Sequence, residues 1–468
     1  MMQEGMLLSS AELELLSRAA KNLLEDPGVK VEDDAVAREL LASGAKPGHQ
    51  SSVLRLPLPM VEEFLALAPR SFALADRSRA RREVGLDSPS LFWTGAALFM
   101  RDRLGIRPIH RQDLADFARV VDRLEQVHGI VGTNVEEALP PHRDFAGFRI
   151  MAENTSKHLR ALSFSTKGGE AMVEMGKVLA GSEGLANNPI FSVGFTAHGP
   201  LRWTSSALGL FKVTAGYRIP CMVNGEPMAG ASAPVTLAGT AALGTAEILS
   251  GIVINQVLEP GRPCIFNLGF AHVMDMRNGF AVTGGPENAL LAVAGAQLAR
   301  YFGLPSASWM CTDSLLCDGQ NTMEKTLAAV THAQARVGLI WGVGTVESEK
   351  VISPIQAVID NEILGMTRKF LKGFKVDEES IVLDEIRRVG ITGSFLDSPH
   401  TLAHFRGAIF EPHLSVRMQG SLAGSRDTLL ARAEDRVEEI LAAERMPILS
   451  QEQSKELVRI ENSYKALE

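Results

Sequence analysis

Cysteine, aromatic residues and net positive charge are all scarce in this chain. Four cysteines among 468 residues cannot form a disulfide scaffold and are typical of a protein kept in a reducing compartment. Tyrosine occurs three times and tryptophan four times, so each aromatic residue can be followed individually. Lys plus Arg number 47 against 55 Asp plus Glu, and the formal net charge of −8 argues against a nucleic-acid partner.

Signals for export or membrane insertion are also lacking. The N-terminus is acidic rather than basic and has no signal-peptide pattern. The most apolar stretch, residues 236–258, carries Glu247, Asn255 and Gln256, which predicts a buried helix rather than a membrane span. We therefore expect a cytoplasmic protein that does not enter a membrane.

The first 85 residues have the periodicity of helices. Ser9 and Glu12 have the spacing of a capping box, and apolar residues then recur on one helical face as far as Asp26-Pro27-Gly28. Two further helices are predicted over residues 33–42 and 59–67. This pattern predicts an N-terminal helical segment, residues 1–85.

From there the pattern alternates between short apolar runs and helical stretches. Such alternation requires parallel strands joined by right-handed crossovers, and eight strands in about 250 residues predict a (β/α)8 barrel over residues 86–360. An open doubly wound sheet is the alternative, but no G-x-G-x-x-G follows the first run. Residues 361–468 are predicted to form a helical extension packed on the barrel. The predicted strands are 91–93, 130–135, 161–165, 190–195, 219–223, 263–268, 306–312 and 338–343.

Polar residues follow most of these runs, where the carboxyl ends of barrel strands build the active site. Any single one of them is more often a helix cap or a turn residue than a substrate contact. The candidate substrate-binding residues are Trp93, His198, Asn224, Glu226, Asn267, His272, Asp313, Gln320 and Glu347. No residue among them is an assured general base or nucleophile.

Three cysteines lie on successive predicted strands and could in principle converge on zinc. Cys221, Cys264 and Cys311 stand at different depths in their strands, and no close-spaced Cys-x-x-Cys or His-x-x-x-His accompanies them there. We therefore interpret them as small core residues and expect no bound metal, with a zinc enzyme as the weaker alternative.

Several segments together resemble the trimethylamine methyltransferase family, and the similarity runs over most of the chain. The resemblance implies a (β/α)8 barrel that moves a methyl group from a methylated amine to the cobalt of a separate corrinoid protein. That cognate protein would carry the corrinoid (cobalamin), with no cofactor bound tightly to this chain. The segments are residues 227–239, 246–253, 274–277, 284–287, 312–314, 318–320, 324–325, 395–396 and 400–401.

The founding members of the family contain pyrrolysine, whereas every residue here is a standard amino acid. The chain thus resembles the branch without pyrrolysine, whose members include glycine betaine methyltransferases. Cobalt(I) attacks a methyl carbon in line, and a quaternary ammonium already carries a neutral tertiary amine as its leaving group. The protein then needs only to hold the cation, aim one methyl group and exclude water.

These considerations suggest a task for several of the candidates. Aromatic faces such as Trp93 attract quaternary ammonium, and Glu226 or Asp313 would add Coulomb attraction. His198, His272 or Asn224 would bind a substrate carboxylate. The alternatives are a tertiary-amine methyltransferase of the trimethylamine type and a barrel that binds quaternary amines without turning them over; a homo-oligomer stays open.

Overall fold

A computed structural model describes residues 7–78, 80–102, 105–417 and 428–466, and its centre is a closed barrel of eight parallel strands. Each strand pairs with the next along the chain, and the eighth closes on the first. The (β/α)8 prediction is confirmed. The strands are β1 Leu91–Thr94, β2 Gly129–Val131, β3 His158–Arg160, β4 Phe191–Thr196, β5 Cys221–Asn224, β6 Cys264–Gly269, β7 Ser306–Trp309 and β8 Leu339–Val343.

The predicted position of the third strand is wrong. Residues 161–165 form the loop after β3, and the strand is His158–Arg160, just before them. In β3 only Leu159 joins the outer apolar layer, while His158 and Arg160 point into the barrel. Because the inward positions of this strand are polar, the strand has no apolar run that a sequence pattern could detect.

Eight helices surround the barrel, one after each strand. The longest, α5, is long and apolar enough to cross a membrane, yet its apolar window is 83% buried inside the molecule. The structure therefore places it as the core helix expected from the sequence. The helices are α1 Arg111–Asp122, α2 Arg143–Asn154, α3 Thr166–Ala180, α4 Ser205–Thr214, α5 Leu237–Leu258, α6 Pro286–Tyr301, α7 Gly319–Gln334 and α8 Pro354–Lys372.

The N-terminal segment covers α5 and closes the amino end of the barrel. Helix Ser10–Glu25 begins with the predicted capping box, and helices Asp34–Ala42 and Leu58–Leu67 follow. A small sheet joins these helices, which the sequence did not predict: Val29–Val31, Lys46–Pro47 and Val53–Arg55, extended by Arg202–Trp203. The hairpin Ser71–Ala75/Arg81–Gly85 inserts Leu74 and Val84 among the first residues of the barrel strands.

The described C-terminal part is mostly helical, and some of its helices pack on the barrel. Helix α8 continues past residue 360 to Lys372, and helices Leu429–Ala442 and Gln451–Lys465 pack on the barrel helices. Arg149 of α2 forms a salt bridge with Glu461 there. Between them, helices Glu378–Ile381, Leu383–Val389 and Pro399–Ala408 lie at the surface, with Ser398 the only buried residue of the described segment 373–409.

Two small sheets of short strands lie at the opposite, carboxyl end of the barrel, which we call the mouth. One sheet consists of Met228–Ala229, His272–Asp275 and Phe280–Val282, from the loops after β5 and β6. A second consists of Phe99–Asp102, Gly105–Pro108, Thr345–Val346 and Val351–Ile352, from the loops after β1 and β8.

Candidate active site at the barrel mouth

The top layer of the barrel interior is a chain of amide and hydroxyl groups. Asn267 Nδ2 donates to Asn224 Oδ1 at 2.8 Å, and Asn224 Nδ2 donates to Thr196 Oγ1 at 3.0 Å. The three residues are register neighbours on β4, β5 and β6, so strand pairing itself brings them together. Asn224 and Asn267 thus stand side by side at the mouth, as the sequence predicted for strand ends.

Carboxylates converge just above this layer. Glu226 follows Asn224 on the same inward-facing side. Solvent reaches its side chain, but neighbouring protein atoms partly desolvate the carboxyl group and raise its pKa to about 7. Burial also raises the pKa of Glu349 well above its usual value, and the nearby Glu226 adds to the effect. Two acids that oppose each other's ionisation in this way favour a cationic ligand between them.

A third carboxylate, Glu247, lies behind the first two on α5. Its Oε1 accepts the Leu201 backbone N–H at 3.1 Å, while the buried Oε2 has no hydrogen-bond partner among the described residues. Burial, and secondarily the charge of Glu226, raises its pKa to about 7. Glu247 therefore adds a further acid, and no countercharge, close to Glu226.

The loop that carries Glu349 is conformationally strained. Glu347, Ser348 and Glu349 have φ angles of 52°, 49° and 72°, a run of three non-glycine residues in the left-handed region. Each such residue costs on the order of 1 kcal/mol or more and persists only where its surroundings enforce it. Here the Ala96 N–H binds Glu349 Oε1 at 3.3 Å, and the Glu347 N–H binds Ser314 O at 2.8 Å. These two hydrogen bonds hold the strained loop, and with it the Glu349 carboxylate, at the mouth.

Arg160 supplies a positive charge to the same interior. Its side chain lies over Gly194 of β4, where a Cβ atom would stand 1.9 Å from Nη2. Among the described residues, its guanidinium makes a single hydrogen bond, from Nη1 to Ala161 O at 2.8 Å. Burial lowers the pKa of Arg160 to about 10, partly offset by attraction to Glu349, with no salt bridge joining the two. Arg160 thus has donors available to an anionic ligand group.

An aromatic wall closes the side of the barrel formed by β6, β7 and β8. Phe270 packs on Trp309 and Trp341 at centroid distances of 5.4 and 4.4 Å, and the two indoles stack at 5.5 Å. Ala96, which holds Glu349, packs on the same apolar cluster. Aromatic faces next to a carboxylate are the surroundings that a quaternary ammonium prefers.

Trp93 lies deeper than this wall. It is 1% exposed and stacks on His158 at 5.2 Å, and His158 in turn binds Ala75 O of the hairpin at the amino end. Its indole Nε1 is buried without a hydrogen-bond partner among the described residues. Trp93 therefore occupies the barrel core below the mouth.

Asp313 ties three mouth loops together. Its Oδ1 accepts the Thr283 N–H at 2.8 Å, the Thr283 hydroxyl at 2.7 Å and the Ser348 hydroxyl at 3.1 Å. His272 is close enough for Asp313 to oppose the lowering of the His272 pKa, whose main cause is burial. Because Oδ1 of Asp313 already accepts three hydrogen bonds, its main role is to hold the loops around the site together.

The remaining candidates lie farther out. His198 is exposed on the loop after β4, and Gln320 is exposed in the first turn of α7, where its Nε2 binds Glu324 Oε1 at 2.9 Å. Asp318 is the N-cap of that helix. The half-buried Glu347 side chain approaches Lys350 at 3.9 Å. The structure does not bring these residues to the Asn224–Glu226 group.

Three residues of the mouth were missed from the sequence: Arg160, Glu349 and Phe270. Arg160 was missed because β3 was misplaced, and Phe270 because it follows β6 by one residue without any polar signal. Glu349 stands two residues beyond the predicted Glu347. The unusual density of charge in Glu347-Ser348-Glu349-Lys350 right after an apolar strand was the available signal.

The cysteines do not form a common centre. Cys221 and Cys264 face the helix layer, where Cys221 Sγ binds Asn255 Oδ1 at 3.3 Å, whereas Cys311 faces the barrel interior. Burial raises the pKa of Cys221 to about 11, so this thiol stays protonated at neutral pH. Within the described ranges no group of His, Cys, Asp and Glu is arranged to hold a metal ion.

Comparisons with known proteins agree with this architecture. Residues 2–462 match the model of the trimethylamine methyltransferase (MTTB) family. Trimethylamine methyltransferase MttB of Methanosarcina barkeri (strain Fusaro) is 30% identical, covering 93% of this chain and 90% of that protein. The glycine betaine methyltransferase of Desulfitobacterium hafniense (strain Y51) is 28% identical, covering 95% and 94%.

A solved structure supports the fold. The monomethylamine methyltransferase MtmB of Methanosarcina barkeri superimposes with a TM-score of 0.58 at 11% identity, covering 93% of this chain and 89% of that chain. The family match over nearly the whole chain, together with relatives that are named methyltransferases, decides the identity. This chain is a methyltransferase that belongs to the trimethylamine methyltransferase family.

Proposed function

We propose that this enzyme moves a methyl group from a small quaternary amine that also carries a carboxylate, of the glycine betaine type, to the cobalt(I) of a corrinoid held by a separate protein. Arg160 is the observation that carries the choice of a zwitterion. A half-buried guanidinium with unused donors, in the barrel interior close enough to feel the charge of Glu349, suits a ligand with both charges. Trimethylamine has no group that would engage it.

The residues of the mouth would divide the work of binding. The aromatic wall and the two carboxylates hold the trimethylammonium group, since each aromatic face contributes about 0.5–2 kcal/mol and the acids add Coulomb attraction. Arg160 pairs with the substrate carboxylate and so fixes the direction of the molecule. The Asn224–Asn267 layer forms the floor of the site.

The corrinoid is a second substrate in this scheme and would approach from the open mouth. Its cobalt attacks the methyl carbon in line, the C–N bond breaks, and the bonding electrons leave on the amine nitrogen as a neutral tertiary amine. No protein acid has to act before bond cleavage. The chain's own contribution is to bind, orient and exclude water. We further propose that the protein works in the cytoplasm.

Incubation with a reduced corrinoid protein or free reduced cobalamin tests the proposal. Glycine betaine, carnitine, proline betaine, tetramethylammonium and trimethylamine are compared by the absorbance of methyl-cobalt. We expect transfer from one of the carboxylate-bearing quaternary amines and at most slow transfer from the others. Transfer from trimethylamine alone would refute the zwitterion, and tight betaine binding with no transfer would favour a binding protein.

A further inference from the structure

We propose that Lys325 and Asp360 are positioning residues for the cation site: their buried ion pair locks a bulge at the end of β8 and thereby fixes the loop that presents Glu349. The inference rests on the proposed function in taking a quaternary ammonium as the ligand. Three observations carry it: the geometry of the bulge, the contacts of the ion pair and the strain of the loop that follows.

Strand β8 contains one extra residue where it closes on β1. Between its pairings at Ile340 and Val343, β8 advances three residues while β1 advances only two. Gly342 has a φ of 115° in this bulge, and an added Cβ there would lie 2.3 Å from Met310 O, so the position requires glycine. Bulges are frequent at barrel rims and next to active sites, where they redirect the chain.

The ion pair binds the backbone of the bulge on both sides of Val343. Lys325 Nζ donates to Gly342 O at 2.9 Å and to Asp360 Oδ2 at 2.7 Å. The same Asp360 oxygen accepts the Gly344 N–H at 2.7 Å. Both charged side chains are 0% exposed, and Lys325 is the only buried lysine in the described part of the chain.

An ion pair of this kind contributes direction more than stability. Removing two charges from water offsets much of their attraction, and apolar side chains of similar volume often stabilise a fold equally well. Apolar side chains cannot, however, bind a C=O and an N–H in fixed directions. Because α7 carries Lys325 and α8 carries Asp360, two barrel helices together hold one turn of backbone.

The backbone held in this way leads into residues 345–352, which we call the mouth hairpin. Its strands, Thr345–Val346 and Val351–Ile352, pair with each other, and the second also pairs with Phe99–Asp102 after β1. The turn between them contains Glu349 and the run of left-handed residues, which would relax if the base of the hairpin could shift. Since Gly344 directly precedes the hairpin, the ion pair fixes that base.

The bulge also sets the last inward side chain of β8. Leu339 and Trp341 face the barrel interior, whereas Val343 faces the helices. Strict alternation along the strand would point Val343 inward, so the bulge leaves Trp341 as the last inward residue. A shift at Gly342 would therefore disturb both the aromatic wall and the carboxylate of Glu349.

Two double variants separate direction from stability. Lys325→Met with Asp360→Leu, the apolar pair, removes charges and hydrogen bonds at similar volume, whereas Lys325→Gln with Asp360→Asn, the amide pair, removes only the charges. Titration calorimetry with glycine betaine and with tetramethylammonium measures the affinity for the cation. We expect the dissociation constants of both ligands to rise at least about 10-fold in the apolar pair and less than about 3-fold in the amide pair.

Hydrogen exchange follows the mouth hairpin without any ligand. Amides of residues 344–352 should exchange at least about 10-fold faster in the apolar pair than in the wild type, and at nearly the wild-type rate in the amide pair. Arg262→Met is the control, since Arg262 is also a fully buried cation but binds Ile219 O, at 2.8 Å, at the amino end of the barrel. It should lower the melting temperature and leave both the hairpin exchange and the affinity unchanged.

Unchanged affinity or unchanged hairpin exchange in the apolar pair would overturn the inference, as would an amide pair as weak as the apolar pair. If the wild type bound neither ligand, the proposed function would fail, and the hairpin exchange would still decide whether the ion pair fixes the loop. Should the apolar pair not fold, Lys325→Met with Asp360→Asn replaces it. This variant keeps an acceptor for the Gly344 N–H, and an exchange rate raised less than about 3-fold would overturn the inference.

Discussion

Gly194→Ala moves the charge of Arg160 without removing it, so it tests the proposed carboxylate contact directly. The added Cβ would lie 1.9 Å from Nη2 and 2.7 Å from Cζ of Arg160. A real contact needs more than 3 Å, so the guanidinium must retreat by roughly 1 Å or more. Because only the far end of a flexible side chain moves, folding should cost less than about 1 kcal/mol.

Gly194→Ala should weaken substrate binding much more than it lowers the free energy of unfolding. A hydrogen bond to a charged group is worth about 1.5–3 kcal/mol, and a 1 Å displacement forfeits most of it. The half-saturation concentration for a carboxylate-bearing quaternary amine should therefore rise by roughly 10- to 150-fold. Tetramethylammonium, which has no carboxylate, should bind the variant and the wild type alike.

Titration calorimetry and initial rates of methyl-cobalt formation provide the assay. Gly319→Ala is the matched control, because nothing lies within 4 Å of a Cβ at that position. Arg160→Met should lose as much affinity for a carboxylate-bearing quaternary amine as Gly194→Ala does. Unchanged affinity of Gly194→Ala for every betaine would refute the role of Arg160, and an equal loss for tetramethylammonium would mean that the barrel wall itself is distorted.

Four further changes test the rest of the mouth. Glu226 has a pKa of about 7, so the half-saturation concentration for a quaternary amine should fall as pH rises through 7 and its carboxylate ionises; Glu226→Gln should flatten that profile. The pKa of Glu247 is raised from 4.5 to about 7 in the folded protein, so the folded state holds its proton more tightly than the unfolded state. The free energy of unfolding should therefore fall by about 3 kcal/mol as pH rises from 4.5 to beyond 7. Denaturant titrations of Glu247→Gln should lack most of that fall. Phe270→Ala should raise the half-saturation concentration about 3- to 30-fold, and Phe270→Leu, which keeps the bulk, should do the same if the ring face binds the cation. Asp313→Ala should cost about 1–3 kcal/mol of stability by releasing Thr283 and Ser348, and an unaltered melting temperature would contradict its role in joining the loops.

The sequence alone determined the barrel and the family. Alternating apolar runs and helical stretches report the strand and helix periods directly, and those periods fix the class of fold. The capping box at Ser9 and the buried character of residues 237–258 were also accessible, because both depend on near neighbours in the chain. The position of Asn224, Glu226 and Asn267 at the mouth could be predicted because they end or directly follow apolar strands.

Tertiary structure alone decided which polar residues meet. Arg160 and Glu349 are far apart in sequence and lie in a misplaced strand and a strained loop, so no local pattern signals their approach. Barrel closure sets the depth of each inward residue, and this places Trp93 in the core while Trp309 and Trp341 form the wall with Phe270. Residues 373–409 show the same division: their helices follow local propensity, but only the folded chain shows that their apolar side chains stay exposed, because burial depends on contacts between distant residues.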